Sequence, residues 1–319
     1  MSSGPVIGVD AGGTKLLAGV VECDDAQGLT VGHRVRRLWG GGDRAEVLDT
    51  MVEAVLSAGG DALAVGFGIP ALMDFAAGVA VSSVHLPLDG LPFRSLMQER
   101  LGLPVFVDND ANMAVLAEQR AGAARGFENV VMLTLGTGIG SGVVLGGRLF
   151  RGSTGAAAEI GHMTIDHHGP PCQGTCPGRG CLEVMASGTA IGRDGTDAGQ
   201  RDPESALGRA VAQRGMVTGE EVTALAVEGD SVACSVMAAI GRSLGAGLAS
   251  VVNIFEPEVI VIGGGASAAG DLLLDPAREV VASRALRPGR DTVRIVPAMF
   301  GEEAGMVGAG LFALAGGEA

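Results

Sequence analysis

The chain has 319 residues, 47% of them hydrophobic, and carries 22 lysines and arginines against 36 aspartates and glutamates. That length and apolar content supply an ample core and favour two lobes over one module. The acidic excess would repel a phosphate backbone, which argues against a nucleic-acid partner. The opening MSSGPVIGVD lacks the layout of a signal peptide, and the apolar runs read as too short and glycine-broken to span a bilayer. A soluble, cytoplasmic protein with no membrane partner is expected.

Strand-like runs PVIGVD, LAVGFGIP, PVFVDNDA, NVVMLTLG, SGVVLGG, PEVIVIGGG and VRIVPAM alternate with helical stretches over 44–58 and 231–252, an α/β pattern. A helix near 109–125 carries the chain from one lobe to the next, with a cleft expected between them. Residues 166–202, including HHGPPCQGTCPGRG and RDGTDAGQRD, read as loop, and DPESALGRAVAQRG resumes helix behind a polar entry. The segment VIGVDAGGTKLLAGVV also echoes VMLTLGTGIGSGVVLG, residues 131–146. In that register each half begins with the same hairpin, and Leu135 stands opposite Asp10.

Glycines in a strand-to-strand turn let backbone N–H groups converge on an anion, because no Cβ blocks the approach. The turn Gly12, Gly13, Thr14, Lys15 adds a hydroxyl and an ammonium suited to phosphate oxygens, and Asp10 suits Mg²⁺. The second turn, Gly136, Thr137 and Gly138, lacks the carboxylate and is expected only to grip phosphate. Neither matches a Walker loop. Gly263 and Gly264 in IVIGGGASAAG fit either an approach to adenosine or tight strand-to-helix packing. In PVFVDNDANMA, either Asp108 or Asp110 is a candidate base or a helix cap, with spacing alone undecided. Of five cysteines, three crowd into CQGTCPGRGC, which suits metal better than a disulfide scaffold; Cys23 and Cys234 read as reduced packing residues.

The ordered set DAGGTK, DNDAN, LGTGIGSG, GAAAEIGHM, GRGCLE and VIVIGGG resembles the sugar kinases of the ROK family, within the hexokinase and actin superfamily. The resemblance implies two ribonuclease-H-like lobes with ATP and sugar between them: residues 1–112, completed by a helix over about 303–319, and residues 113–302. It implies phosphoryl transfer from ATP to a hexose, glucose 6-OH first, with Asp110 as general base. It places Asn109, Glu159, His162 and Glu183 on the sugar. Other hexoses, an N-acetylhexosamine and a non-catalytic sugar sensor are the alternatives, and a dimer or tetramer is implied.

Within that frame His162, Cys172, Cys176 and Cys181 suit a closed, structural tetrahedral Zn²⁺ site. Family members usually read Cys-x-Cys, so the interval from Cys172 to Cys176 is two residues longer and is expected to bulge between ligands. His167 and His168 are read as solvated. Ala71 and His85 stand where the family commonly has Gly and Asn.

Overall fold

The computed structural model describes residues 4–13, 15–24, 28–39, 42–83 and 85–318. In chain order the strands are β1 (Val6–Ala11), β2 (Lys15–Asp24), β3 (Gly28–Leu38), β4 (Val65–Ile69), β5 (Leu72–Asp74), β6 (Val79–Ser82), β7 (Val105–Asn109), β8 (Val130–Leu135), β9 (Ile139–Leu145), β10 (Arg148–Leu149), β11 (Val259–Gly263) and β12 (Arg294–Pro297). The helices are α1 (Arg44–Ala58), α2 (Phe93–Leu101), α3 (Asp110–Ala121), α4 (Leu182–Ala186), α5 (Gly188–Arg201), α6 (Ala206–Arg214), α7 (Gly219–Val227), α8 (Ser231–Phe255), α9 (Asp271–Arg284), α10 (Gly289–Thr292) and α11 (Ala304–Leu314). Two compact units result: residues 1–130, 142–158 and 299–319, and residues 131–141 and 159–298.

Sheet order repeats. The first sheet runs β3-β2-β1-β4-β7 and the second β10-β9-β8-β11-β12, so each has its own hairpin strand at the centre. In the first, β1 pairs antiparallel with β2 and parallel with β4, and β4 pairs parallel with β7. β1 and β8 each have six residues with the same alternation of burial, and each is followed by a three-residue turn. This fixes the register of the echo one residue away from the sequence reading. Thr134, not Leu135, stands at the place of Asp10; Leu135 matches Ala11, and both of these are fully buried. Matching the glycines had pulled the alignment by one position.

Helix α1 forms because Asp43 caps it and Glu46 returns the bond, while Val47, Leu48, Met51, Ala54, Val55 and Ala58 recur on one face. That face closes a core with Ile7, Val9, Phe67 and Phe93. The Phe67 and Phe93 rings meet edge-on at 5.2 Å, worth about 0.5–1.5 kcal/mol beyond burial. On the same sheet α11 packs so closely that a Cβ on Gly8 or Gly66 would strike its backbone at Met306 or Ala309.

Two expectations fail in the second unit. Residues 188–201 are helix α5, not loop. Gly188, Gly192, Gly195 and Gly199 recur at helical spacing, and each would collide through a Cβ with a packed neighbour: Gly136, Val217, Val222 and Val211 respectively. The glycines there are a packing face. Helix α8 is also long and apolar enough to cross a membrane, contrary to the expectation that no run is. More than half of its apolar window is buried, with Gly241 and Gly245 against the Leu273 and Ala277 carbonyls of α9, as in a core helix.

Candidate active site

The first turn leaves β1 at Ala11 and enters β2 at Lys15; Thr14 lies outside the described residues. The chain's single tryptophan, Trp39, donates its indole N–H to the Gly12 carbonyl at 2.9 Å. A Cβ on Gly13 would sit 3.0 Å from that of His85. Asp10 faces the first turn of α11, where Gly305 leaves room for its carboxylate. Its pKa is raised to about 7, mainly by burial and then by the Asp110 carboxylate, with Lys15 opposing and Glu302 adding to the rise. Lys15 Nζ is 2.8 Å from Glu302 Oε1.

The Asp108, Asn109, Asp110 run divides three roles. Asp108 is fully buried; its Oδ2 accepts from Arg151 Nε at 2.7 Å and its Oδ1 from Asn112 Nδ2 at 3.0 Å. The Arg151 guanidinium lies 3.9 Å over the Phe75 ring. Breaking such a pair strands a buried charge, so Asp108 is structural. Asn109 is the cap of α3, accepting from Ala111 N and Asn112 N, while its Nδ2 reaches the Ala71 carbonyl at 3.4 Å. Neither aspartate holds the cap position. Asp110 opens the helix with its pKa raised by burial, against the Ala111 N–H, His85 and Asn109. A carboxyl shifted upward toward neutrality is the better proton acceptor for an alcohol.

The second turn is held from α5 and from α4. Gly188 N donates to the Gly136 carbonyl at 2.7 Å, Thr189 Oγ1 to the Thr137 carbonyl at 2.7 Å, and Gly136 N to the Gly138 carbonyl at 3.0 Å. Glu183 Oε2 accepts from Ile139 N at 2.8 Å, and a side chain at residue 138 would strike it. The glutamate expected on the sugar thus also braces this turn. Gly264 has φ +80°, and its Cβ would press on the Leu135 backbone, while one on Gly263 would meet Met132. Close packing is thus one demand that both glycines meet.

Glu159 precedes the short 3-10 turn Ile160–His162, and His162 ends it, with His162 Nε2 3.9 Å from Glu159 Oε2. The other ring nitrogen, Nδ1, lies 3.5 Å from Cys172 Sγ. The ligand atoms of His162, Cys172, Cys176 and Cys181 all fall within 4.8 Å of one another. Burial, then hydrogen bonds from Cys181 and Cys176, drive the Cys172 thiol up to about 12, and burial raises Cys181 too. Three crowded thiols ionise together only around a cation, so the donor set fits zinc. Cys172 N donates to the Gly178 carbonyl, and Pro171 bridges Arg179, so the longer 173–175 interval loops out beyond a closed ladder. His167 and His168 stack on each other, exposed, outside the cluster.

Sequence reasoning missed two acids. Glu302 pairs with Lys15 from the far end of the chain. Glu118, fully buried on α3, accepts from Met299 N and Phe300 N through Oε1 and from Ala123 N through Oε2. It ties the helix that opens with Asp110 to the segment leading into Glu302. An Ala-rich helix gives no local sign of either partnership.

Relatives match along nearly the whole chain. The ROK family model matches residues 6–316. A glucokinase of Halalkalibacterium halodurans is 37% identical over 267 residues, 83% of this chain and 80% of that one. A ROK family glucokinase from Streptomyces griseus, solved in complex with glucose and AMPPNP, superposes with a TM-score of 0.85 at 33% identity, covering 97% of this chain and 99% of that one. A ROK hexokinase from Thermus thermophilus superposes at 0.76 with 36% identity and 97% coverage of each chain. With the repeated sheet order and the two glycine turns, these matches show that the chain belongs to the ROK family.

Proposed function

We propose that this chain is an ATP-dependent glucose kinase that transfers the γ-phosphoryl group to the 6-hydroxyl. The observation that supports the reading is the meeting of two carboxyls: Asp10 pairs with Gly68 across β1 and β4, and the Asp110 backbone packs on Gly68, so that Asp110 helps to raise the pKa of Asp10. The glucokinase relatives and the glucose-bound neighbour support the choice of sugar.

In this reading Asp110 accepts the hydroxyl proton as the oxygen attacks phosphorus. Lys15, Thr14 and the N–H groups of Gly12 and Gly13 hold phosphate oxygens, and Gly136, Thr137 and Gly138 hold others. Asp10 would hold Mg²⁺, which when bound would neutralise charge on the phosphates. Gly263 and Gly264 face adenosine. Asn109, Glu159, His162 and Glu183 take sugar hydroxyls, where an unpaired buried group would cost about 1–3 kcal/mol. His162, Cys172, Cys176 and Cys181 would hold a structural zinc ion, with His162 linking that site to Glu159.

The test is a coupled ADP-release assay with ATP and Mg²⁺ over a panel of hexoses. Glucose should give the highest kcat/KM. Asp110→Asn should lower kcat about 10²–10⁴-fold with little change in the KM for ATP. Full turnover by that variant would remove Asp110 from the role, and binding of glucose without any turnover would favour a sensor.

A further inference from the structure

Lys15, the ammonium assigned to phosphate, is already neutralised in this structure. Its Nζ lies 2.8 Å from Glu302 Oε1, while the other oxygen of Glu302 lies 3.9 Å from Arg36 Nη1. Lys15 pairs with Leu38 across the β2–β3 ladder, and Arg36 and Arg34 precede Leu38 at two-residue steps, so the three cations share one face. Glu302 and Glu303 reach that face from the 3-10 turn Gly301–Glu303. Glu303 has its own cation, accepting from Arg34 Nη2 at 3.0 Å. Glu302 alone stands between two. Its side chain is 69% exposed against 31% for Lys15, so the ammonium is the sheltered partner and the carboxylate the one that faces water.

We infer that Glu302 sets nucleotide affinity as a stand-in for phosphate. It neutralises Lys15 when no phosphate is bound and passes to Arg36 when a phosphate oxygen takes the ammonium. The exchange trades one anion for another on Lys15, and Arg36 keeps the displaced carboxylate paired. Nucleotide binding therefore works against the Lys15–Glu302 pair and is helped by Arg36. The inference rests on the reading of Lys15 as a phosphate ligand.

Calorimetric titration of Mg²⁺ and AMPPNP into the full chain at saturating glucose tests it. Glu302→Gln should tighten AMPPNP about two- to fivefold, the worth of an exposed ion pair, with glucose affinity unchanged. Arg36→Met should weaken it, because Glu302 then has only Lys15. Glu303→Gln, which removes the same charge one residue away, should tighten it less than Glu302→Gln. In a Lys15→Met background the gain from Glu302→Gln should vanish. A gain that persists there would reduce Glu302 to bulk repulsion and overturn the inference, as would unchanged or weaker binding in Glu302→Gln. If Lys15→Met leaves AMPPNP affinity intact, the phosphate role of Lys15 falls too. If Lys15→Met weakens binding while Glu302→Gln does not tighten it, only the stand-in role falls.

Discussion

Asp10 shows what a buried carboxyl costs the fold. Burial and the Asp110 carboxylate hold its pKa near 7, well above the ordinary 3.8, so the folded chain keeps a proton that the unfolded chain releases. The sign follows: stability from this group is intact below about pH 4, declines as pH rises, and is at its lowest above 7. Asp10→Asn, which removes the charge, should gain stability over the parent chain by on the order of 2 kcal/mol between pH 5 and pH 8, read from urea denaturation without ligand. A difference that stays flat across that range would contradict the shift. The same variant should lose kinase activity, the usual trade between a functional charge and the fold that holds it. The carboxylate in VDAGGTK was legible in the sequence as a metal candidate, but its partners were not. Glu302 and Gly305 come to it from the C-terminal end of the chain, and no local pattern announces such a meeting.

Elements were read well where one face alone is apolar and poorly where glycine does the packing. Helix α1 was placed at 44–58, its observed bounds, because cap and periodicity agree. Helix α5 reads as loop in the sequence because RDGTDAGQRD is polar and glycine-rich; its glycines sit at helical spacing and admit neighbouring atoms, a pattern that propensity scores against helix. Asn109, expected on the sugar from the resemblance, is the cap of α3, and nothing in the run DND distinguishes the cap from the base. The His162, Cys172, Cys176 and Cys181 cluster is legible because ligand chemistry survives a changed spacing. Its two extra residues fall outside the ladder that joins Cys172 N to the Gly178 carbonyl. With three thiols crowded and the Cys172 pKa pushed up to about 12, the cluster needs a cation to ionise together. Exhaustive chelation, or Cys176→Ser, should therefore lower zinc content below about one per chain and raise the KM for glucose at least several-fold, with the KM for ATP less affected. Metal analysis beside the kinetics checks this; full glucose affinity in zinc-free protein would separate the loop from the sugar.

At the scale of the molecule, one sheet plan is used twice and only one copy keeps a carboxylate. The sequence echo revealed the repetition, since hydrophobic strands and glycine turns recur together. It misplaced the register, since glycines mark turns and not the strand positions before them. Burial decides the register: Asp10 and Thr134 are the partly exposed fifth residues of β1 and β8, whereas Leu135 is fully enclosed against the Gly264 backbone. This gives opposite expectations for two neighbouring substitutions. Leu135→Asp buries an unpaired charge and should cost about 3–5 kcal/mol, seen as a large drop in denaturation midpoint. Thr134→Asp places its carboxylate where β1 already tolerates one, and it should fold with a loss nearer 1 kcal/mol. Its added charge beside the second turn should instead weaken AMPPNP binding, because that turn, unlike the first, has no lysine following its glycines to offset the repulsion. Equal destabilisation by the two variants, or greater damage from Thr134→Asp, would return Leu135 to the place of Asp10 and undo the structural register of the repeat.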